Sequence, residues 1–481
     1  MGDRLRARDL AFLTAETPTA PRHNATVEIF DPGPQGLDHE TLVQLVGDRL
    51  AFVPRYRQRV RWVPGHLANP VWVDDPHFEL DYHVRRSALP RPGSLEQLRE
   101  LVARIVSRPL DRNRPLWEVY FVEGLADGRV AMLSKAHQAL VDGAEVVDLA
   151  QVLLDRTPQR RELGGDEWHP GRPVTGSTMM LEALRDTVGT PYTALDTAVG
   201  AADAVLREVG SAGRRVASVA NALAGRRNEP ITPISGPLSQ QRLLVSTRRS
   251  LAEHRRVRDA HGGTVNDVVL TTVTGALRSW LMTRSESLGG LKQVRALVPV
   301  SVHDQELEAT SLGTQIAPHF VDLPISEPSP VIRLHQVSYA FKAHKETGRA
   351  VAANRIAGIA GFAPSTFHAI GSRLAFEQQR RGFQLTVTNV PGPQFPLYAA
   401  GAQMEQTYAV PPLLPGHALA IGVTSYDGNV FYGVTADRDL VPDADVFATC
   451  IDEALDELLD TVGDARPRVP RGRRTRAVKK S

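Results

Sequence analysis

Between Glu118 and Leu154 five segments follow one another with almost no linker, and they restrict the fold more than any other stretch. Glu118-Val119-Tyr120-Phe121-Val122 is β-branched and aromatic, as a strand favours, and Asp127-Gly128 is a hairpin-type turn pair. Val130 to Ser134 reads as the returning strand, and a loop runs from Ala136 to Gly143. From Ala144 to Leu154 a helix buries Val146, Val147, Leu149 and Val152–Leu154. A strand pair feeding a helix through a short polar loop demands mixed layers. It also holds His137 through Gly143 on a rigid frame, a common place for functional groups.

The rest of the chain mixes the same two periods. Asp38 to Phe52 has Leu42, Leu45, Val46 and Leu50 at helical spacing and stops before Pro54. Val71 to Val73 and Phe78 to Val84 read as strands, separated by Asp74-Asp75-Pro76. Ser94 to Ser107 predicts an amphipathic helix with Ser94 as N-cap, Gln97 closing the capping pair, and Leu98, Leu101, Val102 and Ile105 on one face. Further on, Leu243–Ser246, Val294–Val302, Gln315–Leu323, Gln384–Asn389, Ala418–Ser425 and Asn429–Thr435 read as strands. Thr264–Met282 and Ala444–Leu459 read as helices. Strands and helices alternate without a strict βα rhythm, which predicts an α+β protein with two similar halves and not a Rossmann sheet.

A length of 481 residues suits two domains. Composition divides the chain into 1–155, a linker and helical crossover over 156–235, a second domain over 236–463, and a tail over 464–481. The crossover starts in the Gly-, Pro- and charge-rich Arg156–Gly176. It continues as an Ala- and Val-rich helical stretch from Met179 to Leu223, broken near Gly189-Thr190-Pro191. The formal net charge of +2 becomes about −6 once the eight cations of Arg466–Ser481 are set aside, so the body has no basic signature for nucleic acid. The tail has no apolar face and predicts disorder; it could meet an anionic membrane or lipid-droplet surface, or serve solubility or RNA contact.

The single cysteine, Cys450, excludes an intrachain disulfide and fits a reducing compartment. Met1-Gly2-Asp3-Arg4 leads into charge, so no secretory signal is expected, and no apolar run is long enough for a spanning helix. A cytoplasmic protein with peripheral membrane or lipid-droplet contact follows. Without a Walker A loop, a Rossmann glycine fingerprint or metal-spaced Cys/His groups, neither metal nor redox cofactor is expected.

Lys135-Ala136-His137-Gln138-Ala139-Leu140-Val141-Asp142-Gly143 resembles the His-His-x-x-x-Asp-Gly signature of acyl-CoA-dependent acyltransferases and nonribosomal condensation domains. Read plainly, the same residues could be a polar loop whose His137 and Asp142 cap the next helix. Ordered blocks elsewhere carry the resemblance further. They include Pro70-Val71-Trp72-Val73, Phe78 to Arg85, Pro90-Arg91-Pro92-Gly93, Pro115-Leu116-Trp117-Glu118 and Glu123-Gly124-Leu125. In the second half they include Asn266-Asp267-Val268-Val269-Leu270, Val298-Pro299-Val300-Ser301, Asn389-Val390-Pro391-Gly392-Pro393 and Ala436 to Asp443. On these residues the chain is similar to the bacterial wax ester synthase/diacylglycerol acyltransferase family over roughly residues 5 to 460.

The resemblance implies two chloramphenicol-acetyltransferase-like domains around a central tunnel, joined by the crossover. Acyl-CoA would enter as substrate, not cofactor, and meet a diacylglycerol or fatty alcohol, giving triacylglycerol or wax ester. In the family the second motif His is the general base, the Asp holds the loop and the Gly allows the turn. Aligned on Asp142 and Gly143, the two His positions fall on His137 and Gln138. Asn266 and Asp267 would stand nearby from the second domain, with helix capping as their structural alternative. Trp117 would line the tunnel or belong to the core.

Glutamine can hydrogen-bond a hydroxyl but does not take up a proton at neutral pH. General acid–base catalysis is worth about 10²–10⁴-fold, so its loss weakens the reaction without abolishing it. Three readings stay open at this point. His137 serves as base after a local rearrangement; another histidine, among His23, His303, His319 and His417, takes over; or the protein is a non-catalytic paralogue that binds acyl chains or neutral lipid.

Overall fold

The computed structural model describes residues 3–33, 36–140, 149–160, 168–171, 175–181, 233–284, 293–302, 315–346, 364–378 and 382–463. Two six-stranded sheets dominate it. In the first, the order is β12 (Tyr398–Ala399), β13 (Ala402–Val410), β2 (His23–Asp31), β7 (Val130–His137), β6 (Trp117–Glu123) and β5 (Val84–Ala88). In the second it is β10 (Gln315–Leu323), β9 (Val294–Val302), β11 (Leu385–Pro391), β14 (Leu419–Tyr426), β15 (Asn429–Asp437) and β8 (Arg242–Ser250). A small third sheet joins β1 (Asp3–Arg4), β4 (Val71–Asp74) and β3 (Gln58–Arg61). Each large sheet has its own apolar core, which is the two-half α+β architecture expected.

The helices with the first sheet are α1 (Ala7–Ala15), α2 (His39–Arg49), the single turn α3 (Leu80–His83), α4 (Leu95–Val106) and α5 (Leu149–Leu153). With the second come α6 (Leu251–His261), α7 (Val265–Thr283), α8 (Pro330–Glu346), α9 (Pro364–Glu377) and α10 (Ala444–Asp460). Helix α4 begins as its sequence predicts: Gln97 N–H donates to Ser94 Oγ at 3.2 Å, and Ser94 N–H donates to Gln97 Oε1 at 2.8 Å. The expectation of one strand over Phe78–Val84 is corrected. Residues 80–83 form a helical turn that buries His83, and the strand begins only at Val84. The His83 ring then donates from Nδ1 to the Trp117 carbonyl, 2.8 Å away, a tie that no local pattern announces.

The chain does not keep its two halves apart at residue 236. Strand β13 leaves the second half and pairs antiparallel with β2 of the first sheet. It passes so close to β15 that a Cβ on Gly433 would stand 2.1 Å from the Ala409 carbonyl oxygen, a separation only glycine tolerates. One buried ion pair reaches across the junction: Arg242 meets Asp437 at 3.1 Å and also donates to the Thr19 carbonyl of the first half, while Arg49 pairs with Asp155 within the first half at 2.9 Å.

Candidate active site

Strand β7 ends at His137, not at Ser134, so the predicted loop from Ala136 starts two residues later than its composition suggests. His137 N–H donates to the Leu116 carbonyl at 2.9 Å, and Gln138 N–H donates to the Arg22 carbonyl at 2.8 Å. The strand therefore delivers both motif positions on fixed backbone. Asp142 and Gly143 fall outside the described residues.

The imidazole of His137 is fully enclosed. Its Nδ1 accepts a hydrogen bond from Ala139 N–H at 3.0 Å, which places the ring proton on Nε2, 3.8 Å from Glu16 Oε2. Burial pulls its pKa down to about 4 despite the opposing pull of Glu16, so the ring is neutral near pH 7. In this arrangement Nδ1 is occupied and Nε2 is a donor; neither is offered as a proton acceptor. Glu16 is itself well held. Arg112 donates to its Oε2 from Nε and Nη2 at 3.1 and 2.6 Å, and Arg22 N–H donates to Oε1 at 3.0 Å. Burial pushes its pKa up, but His137, the Arg22 N–H and Arg112 together outweigh that and hold it below the usual range.

Gln138 is 0% exposed, and neither atom of its side-chain amide has a hydrogen-bond partner among the described residues. Its carbonyl oxygen accepts from Arg373 Nη1 at 2.6 Å, and the same guanidinium donates from Nη2 to Asp9 Oδ1 at 2.6 Å. Arg373 lies on α9, so the second half of the chain grips the motif backbone directly. Its Cζ sits 4.6 Å from the centre of the Phe12 ring, adding a cation–π contact. Sequence reasoning missed Glu16, Arg22 and Arg373, because each acts across a long stretch of chain and none belongs to a motif.

The other candidates separate. Asp267 closes a capping box with Thr264: Thr264 N–H donates to Asp267 Oδ2 at 2.8 Å, and Asp267 N–H donates to Thr264 Oγ1 at 3.2 Å. Asn266 instead accepts at Oδ1 from Asn389 Nδ2 at 2.9 Å, joining two of the blocks singled out above. Trp117 is a core side chain, stacked 4.6 Å from the His83 ring with its Nε1 donating to the Tyr56 carbonyl at 2.6 Å. Of the four further histidines, His23 stands directly across from His137, but its Nε2 is bonded to the Val106 carbonyl at 2.9 Å. His319 packs on Phe341 and His417 on Phe383, while His303 falls outside the described residues. Among the described residues no group of three His, Cys, Asp or Glu could hold a metal ion.

Two sheets with the histidine-bearing strand end of one clamped by a helix of the other define a chloramphenicol-acetyltransferase-like fold. The first condensation domain of the CDA synthetase shares it, with a TM-score of 0.53 at 15% identity over 96% of this chain and 97% of that one. Residues 5–269 match the wax ester synthase/diacylglycerol acyltransferase catalytic domain, and residues 312–459 match the WS/DGAT C-terminal domain. The chain belongs to the wax ester synthase/diacylglycerol acyltransferase family.

Among its relatives is a probable diacylglycerol O-acyltransferase of Mycobacterium tuberculosis, tgs1, which is 32% identical over 94% of each chain. A second from that species, tgs3, is 41% identical over 54% of this chain and 96% of its own. The wax ester synthase/diacylglycerol acyltransferase from Marinobacter aquaeolei VT8 superposes with a TM-score of 0.68 at 26% identity, covering 96% of this chain and all of that one (100%).

Proposed function

We propose that this protein is an acyl-CoA-dependent O-acyltransferase that makes triacylglycerol from diacylglycerol, or wax ester from a fatty alcohol, and that Gln138 stands at its reacting centre. The observation that carries the reading is the amide of Gln138, buried without a partner at the end of β7, in a chain of this family. A buried polar group without a partner is costly, and a substrate hydroxyl or carbonyl would relieve that cost. The acceptor oxygen attacks the thioester carbonyl carbon, the C–S bond breaks, and the hydroxyl proton leaves with the thiolate as CoA thiol. Gln138 orients the hydroxyl through its amide oxygen. His137 keeps the strand end in place through Ala139.

Catalysis in this scheme rests on positioning and carbonyl polarisation, without a strong base. Turnover is then lower by about 10²–10⁴-fold than an imidazole at residue 138 would allow. Both acceptors are lipids, so the reaction belongs at a membrane or lipid-droplet surface, met peripherally. No helix among the described residues is long and apolar enough to cross a membrane. The test is to incubate purified protein with a radiolabelled long-chain acyl-CoA and either diacylglycerol or hexadecanol. Labelled triacylglycerol or wax ester, with CoA release in equal amount, is expected. Absence of both products at every enzyme concentration would leave acyl-chain binding without transfer.

A further inference from the structure

Along β2 and the residue before it, Arg22, Asn24, Thr26 and Glu28 alternate with His23, Ala25, Val27 and Ile29. Period two puts these sets on opposite faces of the sheet. The second set turns toward α4: Ala25, Val27 and Ile29 enter the apolar core, and His23 bonds the Val106 carbonyl. Opposite them on β7, Lys135 reaches the Ile105 and Arg108 carbonyls at 3.2 and 2.6 Å. The other face of this strand pair is polar, yet it is also covered.

The register pairs His23 with His137, and the Gln138 N–H bond to the Arg22 carbonyl carries it one residue further. Arg22 and Gln138 are therefore direct neighbours on that polar face, with Cβ atoms about 4.5–5.5 Å apart. Asn24 and Ser134 share it. Arg22 and Gln138 are both 0% exposed. Among the described residues, no acceptor meets any of the three guanidinium nitrogens of Arg22. The Gln138 amide, the Asn24 amide and the Ser134 hydroxyl are likewise unpartnered.

Arg22 is the unusual member of this group. Burial pulls its pKa down to about 10, against a weaker opposing pull from Glu16, and it remains a cation at neutral pH. Glu16 spends its oxygens on Arg112 and on the Arg22 main-chain N–H, so it does not bond the guanidinium. What covers the guanidinium is the Phe376 ring, 4.4 Å from Cζ, and Phe376 in turn packs on Phe12 at 5.0 Å. A planar cationic fork with open donors, covered by the Phe376 ring and sharing its sheet face with two unpartnered amide residues, suits an anion with a planar head and an apolar body.

We propose that Arg22, assisted by the Gln138 and Asn24 amides, binds the carboxylate of a free fatty acid, with the acyl chain against the Phe376 and Phe12 side. The site concerns the acid itself, without CoA and without any reaction, so it stands whether or not the protein transfers acyl groups. A neutral ester or thioester carbonyl offers a dipole but no countercharge, and the site distinguishes the two.

Isothermal titration of the full-length protein with decanoate and with methyl decanoate tests this, in wild type, Arg22→Gln and Arg22→Lys. Wild type should bind the acid about ten- to hundredfold more tightly than the ester, as a charge-assisted bond implies. Arg22→Gln should lose that preference, with acid and ester binding about equally, and Arg22→Lys should keep part of it. Equal affinities for acid and ester in wild type, or a preference that survives in Arg22→Gln, overturns the proposal. If Arg22→Gln does not fold, the wild-type comparison and Arg22→Lys still decide.

Discussion

Arg373 Nη1 donates to the main-chain carbonyl of Gln138 at 2.6 Å, across 235 residues of sequence. The same side chain pairs with Asp9, and both partners are almost fully buried. One guanidinium thus ties α9, α1 and the motif strand together. Removing it with Arg373→Met leaves a buried carboxylate and a buried carbonyl without their donor. We expect a loss of about 3–5 kcal/mol in urea-unfolding stability, the usual cost of breaking a buried pair from one side. A change below about 1 kcal/mol would mean that solvent reaches this cluster.

Restoring an imidazole with Gln138→His should raise triacylglycerol or wax ester formation by about 10²–10⁴-fold, the worth of a positioned general base. The rate of that variant should also acquire a rising limb with pH as the new imidazole loses its proton, which the wild type lacks. Steady-state CoA release over a pH series measures both. No gain, with the fold intact by circular dichroism, counts against Gln138 as the reacting position.

His137→Ala separates a base from a positioning residue. With Nδ1 taken by Ala139 N–H, the expected result is a loss of stability and a proportional fall in turnover, with the shape of the pH–rate profile unchanged. His137→Gln, which keeps an acceptor for that N–H, should recover much of both. A profile that loses an ionisation in His137→Ala, while the protein remains folded, would assign the base to His137 instead.

Several histidines make stability sensitive to acid. Burial holds His83, His137, His254 and His417 each at about 4 in the folded state, well below the unfolded value near 6.5. Between those limits the unfolded chain binds more protons, so stability is present above about pH 6.5 and is lost as pH falls toward about 4. Each group contributes up to about 1.4 kcal/mol per pH unit inside that window. Urea midpoints at about pH 7 and about pH 5 should differ clearly, and His137→Gln should reduce the difference. Equal midpoints would show that these rings are hydrated.

Gly433→Ala should be among the most damaging single-methyl changes in the chain, because its Cβ would meet the Ala409 carbonyl oxygen at 2.1 Å. The strand must shift where β13 crosses β15, at a cost of about 1–3 kcal/mol or more, visible as a lower melting temperature. Gly428→Ala is the contrast: nothing lies within 4 Å of its Cβ, and only its φ of 75° is unfavourable.

Some of this was legible from local pattern. The capping pair Ser94/Gln97, the strand–turn–strand from Glu118 to Ser134 and the long helix from Thr264 depend on neighbours within a few residues, and their spacing announces them. Phe78–Val84 misled because its alternation suits a strand, while the tertiary fit of His83 against Trp117 selects a helical turn. The strand at Ala402–Val410 escaped notice altogether, since its partner, β2, lies at the other end of the chain.

The sequence by itself determined the family, the α+β class and the substitution at residue 138, because ordered motifs and hydrophobic periods are local properties of a chain. Only the tertiary structure decided what surrounds that substitution. It showed an imidazole with its Nδ1 already engaged, a motif carbonyl held by Arg373, and a buried Arg22 whose backbone neighbours Gln138 across the strand pair. The Arg373 and Arg22 relationships come from helix α9 crossing between sheets and from strand register, so no short window of sequence contains both partners. The Ala139 bond to His137 spans only two residues, but it forms because the strand end holds both in place.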